Sequence, residues 1–406
     1  MQIAYFTNTY YPVVSGVVQC VDTYRRTLGQ QGHNVFVFAQ NAGNHVEKEP
    51  FVFRYPAVTL PAYPNFPIAI PVSPKIDWLL PSLKLDVIHS HHPFLLGVTA
   101  ASKAARLNVP LVFTYLTRYP EYSHYVPYNQ KLVKIAIREY LANYMQKCHH
   151  IVVPSDSIKE ELANTYGITR QITTIPIGFD GSMWAAVDGQ AVRRAQGWGN
   201  ETVLISVGRL AREKNWPTLL KAVAPILKSR PDTRFVLIGD GAERASLEKL
   251  AQELGIAARV NFTGMLSHSQ VIGHLKAANL FCFASITETQ GLVTLEAMAA
   301  GLPVVAVNAT GTRDTVTHEC EGLLTENEDS ALTRAICRVL DSPTLWDRLA
   351  AAALKRAQCF SAEAQAGKLV SIYHQARADQ RAGRCVQVAQ PKTKHRTYSF
   401  PLSTTQ

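Results

Sequence analysis

Short apolar runs alternate with segments of helical character along most of this chain, and this alternation limits the fold more than any other feature. In the first half the apolar runs fall at residues 3–7, 35–39, 87–90, 111–115 and 150–154. In the second half they return at residues 203–207, 235–238, 260–264, 281–284 and 303–307. Continuous apolar strands that alternate with helices are typical of parallel sheets covered on both faces. The pattern therefore predicts an α/β fold that binds its ligands at the carboxyl ends of the strands.

Length, cysteine use and hydropathy narrow the class of protein. The chain has 406 residues, more than one hydrophobic core normally holds, so two domains are expected. Its seven cysteines form no C-x-x-C pair and have no metal-like spacing with histidine, which favours reduced thiols and a cytoplasmic protein. No apolar run reaches the roughly 18 residues of a membrane span. The chain begins directly with a strand, so a signal peptide is not expected.

The formal net charge of +10 favours anionic partners, namely nucleic acid, an acidic membrane surface or a phosphorylated substrate. Nucleic acid is not expected, because basic and aromatic residues are not interleaved as in the known nucleic-acid-binding modules. Part of the excess charge lies in a polar stretch without apolar periodicity, at Arg381, Arg384, Lys392, Lys394 and Arg396. This composition predicts a disordered basic tail over residues 377–406.

Residues 281–307 (FCFASITETQGLVTLEAMAAGLPVVAV) read as strand, polar loop, helix and strand. Two acids, Glu288 and Glu296, flank the turn into the helix. The residues between them that can present backbone N–H groups at the helix N-terminus are Gly291, Leu292 and Val293. Such a terminus attracts phosphate, because its N–H groups are unpaired and the helix dipole is positive there. Carboxylates beside an anion site are most simply explained as acceptors for hydroxyl groups, which predicts a sugar nucleotide. The alternative is a Rossmann-like unit with solvated acids.

A second charged segment follows the apolar run at residues 203–207. Arg209 and Lys214 lie after this run and before a helix. Arginine grips two oxygens in a fork and lysine supplies a point charge, so the two cations suit a diphosphate. Two solvated surface bases are the alternative. A glycine turn at residues 239–241 does not continue as G-x-G-x-x-G, because Arg244 replaces the third glycine, and this argues against an NAD site.

Two motifs carry a resemblance to a known family. E-T-Q-G-L-V-x-x-E followed by A-x-A-x-G-x-P-V-V at residues 288–305, and G-R-L-x-x-x-K-N at residues 208–215, resemble the signature of the retaining glycosyltransferases of family 4. The resemblance spans roughly residues 1–375 and is nearest to bacterial enzymes that glycosylate diacylglycerol and related lipids. It implies the GT-B fold, in which two Rossmann-like domains with parallel sheets face a cleft. It also implies a UDP- or GDP-sugar donor, a sugar or lipid acceptor, transfer with retention, and no metal or other cofactor.

The resemblance also implies domain limits and the roles of particular residues. It implies an acceptor-side domain over residues 1–178, a nucleotide-sugar-binding domain over residues 179–360, and a helix over residues 361–376 that crosses back. Glu288 is expected to contact the transferred sugar and Glu296 the ribose. Arg209, Lys214 and the amides of Gly291, Leu292 and Val293 are expected to hold the diphosphate, which Gly16 also faces. Gly264, Met265 and Leu266 are expected near the base. Glu288, Arg209 and Lys214 are the expected catalytic residues.

The acceptor side departs from the family. The family usually has a histidine where this chain has Leu116, so a weak or inactive nucleotide-sugar-binding homologue stays open as an alternative. The other acceptor-side candidates are His91, Arg118 and His124. Three histidines within residues 89–92 also suit a metal site, but no acid or cysteine lies nearby in sequence, so we expect cleft-lining or packed histidines. Another GT-B activity, such as sugar-nucleotide epimerisation, is a further alternative.

Residues 131–148 form a basic amphipathic pattern of helical period. One interpretation is contact with an anionic membrane, in which lysine and arginine meet the headgroups and apolar side chains enter the interface. This would place the protein peripherally on the inner face of the cytoplasmic membrane. The other interpretation is a docking helix with a solvated basic face.

Overall fold

The structure is a computed structural model that describes residues 1–13, 15–41, 47, 49–58, 67–125 and 128–389, without the side chains of residues 124 and 125. Two separate parallel sheets organise it, one from each half of the chain. The predicted α/β class and GT-B architecture are confirmed.

The N-terminal sheet has seven strands in the order β3-β2-β1-β6-β7-β8-β9, and every neighbouring pair is parallel. The strands of this half, including a separate β4–β5 hairpin, are β1 (Gln2–Thr7), β2 (Asn34–Gln40), β3 (Val52–Tyr55), β4 (Ala57–Val58), β5 (Ile68–Ala69), β6 (Val87–Ser90), β7 (Leu111–Thr114), β8 (His150–Val153) and β9 (Ile172–Thr174). Its helices are α1 (Gly16–Gln30), α2 (Pro74–Leu79), α3 (Leu96–Leu107), α4 (Gln130–Met145) and α5 (Asp156–Tyr166).

The C-terminal sheet has six strands in the order β12-β11-β10-β13-β14-β15, again all parallel. Its strands are β10 (Thr202–Val207), β11 (Thr233–Ile238), β12 (Val260–Gly264), β13 (Leu280–Phe283), β14 (Val304–Val307) and β15 (Gly322–Thr325). The helices from here to the end of the described chain are α6 (Gly181–Ala185), α7 (Gly189–Gln196), α8 (Trp216–Ser229), α9 (Arg244–Glu253), α10 (His268–Ala277), α11 (Leu292–Ala299), α12 (Thr312–Thr315), α13 (Asp329–Leu340), α14 (Pro343–Gln358) and α15 (Ala362–Arg381).

The central strands of both sheets, such as β1, β10 and β13, are buried on both faces, which explains why they are largely apolar. In β1, Ala4 and Phe6 join one hydrophobic core while Ile3 and Tyr5 join the core on the opposite face. Successive side chains of a strand point to opposite faces, so a strand covered by helices on both sides has no solvated position. The strands do contain polar side chains, and those of His89 in β6 and Thr114 in β7 are buried.

The chain crosses between the halves twice, and the two crossings touch. The outgoing Phe179 N–H donates to Phe360 O at 3.0 Å, and Ala362 N–H donates back to Phe179 O at 3.1 Å. A side chain at Gly178 would lie 2.6 Å from the Cα of Ala362, so only glycine fits there. Beyond this point α15 packs on the N-terminal half, where the Tyr373 hydroxyl lies 3.0 Å from that of Tyr5.

The prediction of a disordered tail from residue 377 is wrong for residues 377–389. Helix α15 continues to Arg381, and Arg384 then closes an ion pair with the buried Asp379 at 2.8 Å. Val386 is buried and its N–H donates to Cys148 O at 2.8 Å. The sequence did not reveal this docked segment, because one or two apolar residues are too short a pattern to recognise. Residues 390–406 lie outside the described residues.

Candidate active site

The loop between β13 and α11 places the predicted acids at the carboxyl edge of the C-terminal sheet. Gly291 directly precedes α11 with φ +81°, a left-handed conformation that favours glycine. The following residues, Leu292 and Val293, begin the helix, so their N–H groups have no partner within it. The predicted helix start therefore forms, with Glu288 in the loop before it and Glu296 in the helix itself.

Glu288 is held by two neighbours through one of its oxygens. Lys214 Nζ donates to Oε1 in an ion pair, and Ser285 Oγ donates to the same atom at 2.7 Å. Burial by itself would raise the pKa of this carboxyl, but Lys214 and Ser285 hold it below its ordinary range. Glu288 is thus an ionised hydrogen-bond acceptor rather than a proton donor. Among the described residues, its Oε2 has no hydrogen-bond partner.

Both predicted diphosphate-binding cations are paired with acids. Lys214 pairs with Glu288, and although burial would lower the pKa of the lysine, that carboxylate raises it above its ordinary value. Arg209 Nη2 lies 2.5 Å from Oε1 of Glu213, a carboxylate that is itself buried. The Arg209 side chain is 44% exposed, so an arriving anion can reach its guanidinium. The acids thus hold both cations in place in this structure.

Glu296 repeats the arrangement of Glu288 with different neighbours. His268 Nε2 lies 2.9 Å from Oε1, and Gln19 Nε2 of helix α1 donates to the same oxygen at 3.5 Å. The hydrogen bond with Glu296 raises the pKa of His268 above 6.5, while partial burial opposes this shift. His268 and Gln19 were not identified from the sequence. Gln19 lies 277 positions from Glu296, and no local pattern links two residues at that separation.

The two halves meet beside the helix terminus. A Cβ on Gly16 would lie 3.4 Å from Leu292 Cδ1, an ordinary contact distance. Leu116 packs in the same apolar cluster as Leu292. Thr289 Oγ1 donates to Leu116 O at 3.2 Å. The structure therefore brings the predicted Gly16 and Leu116 positions of the N-terminal half against the loop between β13 and α11, residues 284–291 (the donor loop).

His91 does not line the cleft, so its prediction as an acceptor-side residue is wrong. It is 1% exposed and stacks on His89 with ring centroids 4.4 Å apart. Burial lowers the pKa of His91 well below 6.5, so the ring is neutral. The residue directly follows β6, and its ring packs against Tyr5 with ring centroids 4.8 Å apart. Both ring nitrogens of the buried His89 have hydrogen-bond partners within the protein. Nδ1 lies 2.8 Å from the Tyr373 hydroxyl and Nε2 lies 2.6 Å from Thr114 Oγ1.

The other predicted positions are more dispersed. Arg118 Nε donates to Glu161 Oε2 at 2.9 Å, which holds the guanidinium against α5. The side chain of His124 lies outside the described residues. Gly264 ends β12 with φ +74°, Met265 is 60% exposed and Leu266 is partly buried.

In the part of the chain that the structure describes, no three potential ligands cluster as a metal site. None of the described helices is both long and apolar enough to cross a bilayer.

Comparison with known families agrees with this geometry. Residues 14–182 match the family Glycosyltransferase Family 4, and residues 189–356 match the family Glycosyl transferases group 1. The alpha-monoglucosyldiacylglycerol synthase of Streptococcus pneumoniae is 31% identical over 313 residues, which cover 75% of this chain and 71% of that protein. The protein of the same name from Acholeplasma laidlawii is 28% identical over 387 residues, covering 92% and 96% of the two chains.

Solved structures share the fold. The sucrose-phosphate synthase of Thermosynechococcus elongatus superposes with a TM-score of 0.77 at 24% identity, covering 93% of this chain and 99% of that one. HepE of Anabaena, solved in complex with UDP-glucose, superposes with a TM-score of 0.71 at 20% identity over 91% and 99% of the chains. The sequence match to the synthases and the matches of both halves lead to one conclusion: the chain belongs to the family 4 glycosyltransferases and is a hexosyltransferase with the GT-B fold.

Proposed function

We propose that this enzyme transfers a hexose, with retention, from a UDP- or GDP-sugar to a membrane lipid such as diacylglycerol. The observation that carries the proposal is the Glu288–Lys214 ion pair next to the free N–H groups that open α11. Two relatives named as glucosyldiacylglycerol synthases support the acceptor class, and HepE, solved with UDP-glucose, supports the donor class.

In this proposal the diphosphate of the donor takes over part of the pairing that Arg209 and Lys214 now have with Glu213 and Glu288. The diphosphate binds the amides of Leu292 and Val293 and draws Arg209 and Lys214 towards its oxygens. The sugar hydroxyls then use Oε2 of Glu288, and the ribose uses Oε2 of Glu296. Both carboxylates are already held through Oε1, so the donor meets acceptors that are oriented in advance.

The chemical step breaks the bond from the anomeric carbon to the phosphate oxygen and forms a bond to the acceptor oxygen on the same face. The acceptor proton passes to the departing phosphate oxygen, which completes the balance. Stabilising the charge on the departing diphosphate is the main contribution of the protein, supplied by Arg209, Lys214 and the amides of α11. Glu288 is paired with Lys214, so it acts in this proposal as a hydroxyl acceptor rather than as a covalent nucleophile.

The acceptor side of the proposal rests on helix α4. Its C-terminal part is docked through Leu141, Tyr144 and Met145. Its first turns expose Leu132 (65%) and Ile135 (51%) among basic side chains, namely Lys131, Lys134 and Arg138. Apolar side chains flanked by cations suit the interface of an anionic bilayer. We therefore propose a peripheral location on the inner face of the cytoplasmic membrane, where a lipid acceptor is at hand.

A second candidate function is a nucleotide-sugar-binding homologue with weak or no turnover. Leu116 favours it, because this half-buried side chain beside the donor loop has neither a hydrogen-bond donor nor an acceptor. It cannot contact a sugar hydroxyl or stabilise positive charge on the sugar ring.

A thermal-shift screen against UDP-, GDP- and ADP-sugars tests the donor, since a ligand that binds only the folded state raises the melting temperature. The stabilising donors are then incubated with anionic vesicles that contain diacylglycerol, and the glycolipid and its anomeric configuration are identified by mass spectrometry and NMR. We expect one donor class to stabilise the protein and to yield a retained glycolipid. Stabilisation without product on any acceptor favours the second candidate. A protein that no sugar nucleotide stabilises contradicts both.

A further inference from the structure

Three consecutive side chains of the donor loop are each held by a different part of the molecule. Glu288 pairs with Lys214 of its own half. Thr289 Oγ1 donates to Leu116 O, two residues after β7 in the N-terminal half. Gln290 binds the peptide of Ile177, in the segment that leads into the crossing between the halves. These three residues thus connect the loop to both halves of the molecule and to the segment that joins them.

The contact made by Gln290 is reciprocal and buried. Ile177 N–H donates to Gln290 Oε1 at 2.7 Å, and Gln290 Nε2 donates back to Ile177 O at 3.2 Å. Both residues are buried, at 2% and 4% exposure. The side-chain amide therefore satisfies one backbone donor and one backbone acceptor that water cannot reach, and a buried polar group left unpaired is costly.

Ile177 lies close to the place where the chain crosses between the two halves. Two residues later, Phe179 exchanges hydrogen bonds with Phe360 and Ala362, where the outgoing and returning crossings meet. Hinges of domain closure are a few residues at such crossings that absorb the change in backbone angles. A rotation of one half relative to the other moves Ile177, so Gln290 transmits that movement to a loop whose Glu288 lies two residues away.

The donor loop also contacts helix α12. The backbone oxygen of Gln290 accepts from Thr315 Oγ at 2.8 Å. Asp314, beside that threonine on α12, accepts from Ser157 N–H at 3.0 Å, at the start of α5 in the other half. The donor loop is thus connected to the N-terminal half both through Ile177 and through α12.

We infer that Gln290 is a positioning residue that couples the relative orientation of the two halves to the placement of Glu288 on the donor sugar. This inference rests on the proposed role of Glu288. In the open enzyme the donor loop is held in the position that Ile177 occupies in the open orientation of the two halves. When the cleft closes on a complete donor, the hydrogen-bonded peptide of Ile177 brings Glu288 to the sugar. A nucleoside diphosphate without a sugar gains nothing from this step.

The test replaces Gln290 by methionine, which keeps the length and burial but removes both hydrogen bonds. With the donor and acceptor established for the wild type, we expect Gln290→Met to lower kcat by roughly tenfold, the value of two neutral hydrogen bonds. The Kd of the free nucleoside diphosphate, measured by calorimetry, should stay within about twofold. Small-angle X-ray scattering should show the wild type contracting on donor binding and the variant contracting less.

A second pair of variants separates positioning from simple loss of structure. Thr289→Val removes the bond to Leu116 O and should also lower kcat without changing nucleoside-diphosphate affinity. Its control is Thr333→Val, because Thr333 is partly buried like Thr289 and donates to Ala222 O within one half, at 2.8 Å. We expect wild-type kcat in that control.

Three results would overturn the inference. One is wild-type kcat and donor-induced contraction in Gln290→Met. The second is a parallel loss of kcat and nucleoside-diphosphate affinity in both loop variants, which would indicate general damage to the site. If Gln290→Met does not fold, wild-type kcat in Thr289→Val decides against the inference. A wild type that transfers sugar from no donor would instead contradict the proposed function.

Discussion

The two halves share one architecture, a parallel sheet covered by helices, but they present different chemistry. Among the described residues, fourteen large apolar side chains are exposed, and eleven of them lie before residue 178. The C-terminal half instead brings two ion pairs, Arg209–Glu213 and Lys214–Glu288, and a histidine–carboxylate pair, His268–Glu296, to the candidate site. One fold can thus serve two tasks, because the helices and strands build the frame while loops and outer faces carry the chemistry.

This contrast suggests a division of labour. A half rich in oriented charges suits a polar, anionic donor. A half with an apolar, basic outer surface suits a lipid acceptor and the membrane that contains it. The five predictions that follow test this division, in order of decreasing expected effect.

Removing both cations should have the largest effect. In the double variant Arg209→Ala, Lys214→Ala we expect the affinity for nucleoside diphosphate to fall roughly hundredfold or more, since each removes a charge-assisted hydrogen bond. Isothermal titration calorimetry measures it. The control is Arg194→Ala, Lys249→Ala, which makes the same change in net charge on exposed side chains of the same half. Unchanged binding in the first double variant would show that the diphosphate lies elsewhere.

Neutralising the sugar-side acid should affect turnover more than binding. We expect Glu288→Gln to lower kcat about tenfold or more, because a hydrogen bond to a charged group is worth about 1.5–3 kcal/mol. Affinity for free nucleoside diphosphate should change little, since that ligand has no sugar. Steady-state kinetics and calorimetry check the two quantities. Near-wild-type kcat in a folded variant would remove Glu288 from the site.

The apolar surface should matter for membranes only in the N-terminal half. We expect Leu132→Ser, Ile135→Ser to weaken binding to anionic vesicles roughly tenfold, since each substitution removes apolar area from the interface. Sedimentation with vesicles of rising anionic content measures this. The matched variant Met265→Ser, Leu354→Ser alters exposed apolar residues of the other half and should bind like wild type. Binding that ignores lipid charge and salt would contradict an electrostatic membrane contact.

Restoring a histidine on the acceptor side should have a modest effect. We expect Leu116→His to raise turnover about two- to tenfold, the worth of one neutral hydrogen bond. Affinity for nucleoside diphosphate should be unchanged. The comparison is made by kinetics on every donor that the wild type binds. A histidine variant that is no faster on any of them would show that residue 116 lies away from the reacting carbon or that the site has adapted to leucine.

The smallest expected effect concerns pH. Because Glu296 raises the pKa of His268, the pair stabilises the fold fully below pH 6.5, and this stabilisation is lost as pH rises through the raised pKa. The unfolding free energy of wild type should therefore exceed that of His268→Gln by more at low pH than at high pH. The effect is small because His268 is 33% exposed and its charge is screened. Urea titrations of both proteins at pH values below and above 6.5 measure the two unfolding free energies. A difference between them that does not change with pH would contradict the pairing of His268 with Glu296.

Much of the frame could be predicted because its signals are local. The ten apolar runs became strands of the two sheets, since a strand buried on both faces is largely apolar. The glycine before α11 and the acids around it could also be recognised, because a helix start has a short sequence pattern. The short strands β3, β4, β5, β9 and β15 were missed, because runs of only two residues, or of three or four that include a polar residue or glycine, do not distinguish a strand from a loop.

The histidines show where local reasoning fails. His91 and His268 are both polar residues next to a strand or a helix start, and nothing in their neighbours' identities separates them. The structure buries His91 against His89 and places His268 on Glu296. Burial depends on which distant elements cover a side chain, so the sequence pattern around each residue could not assign either role.

By itself, the sequence determined the two α/β halves, the helix start for an anion and the charged residues that follow the strands. Each of these depends on neighbours a few positions apart, where spacing dictates geometry. Only the tertiary structure decided the long-range contacts: Gln19 on Glu296, Gln290 on Ile177, and the docking of residues 382–389. Such contacts join residues that are brought together by packing of the whole chain, and their energy comes from the burial that this packing creates.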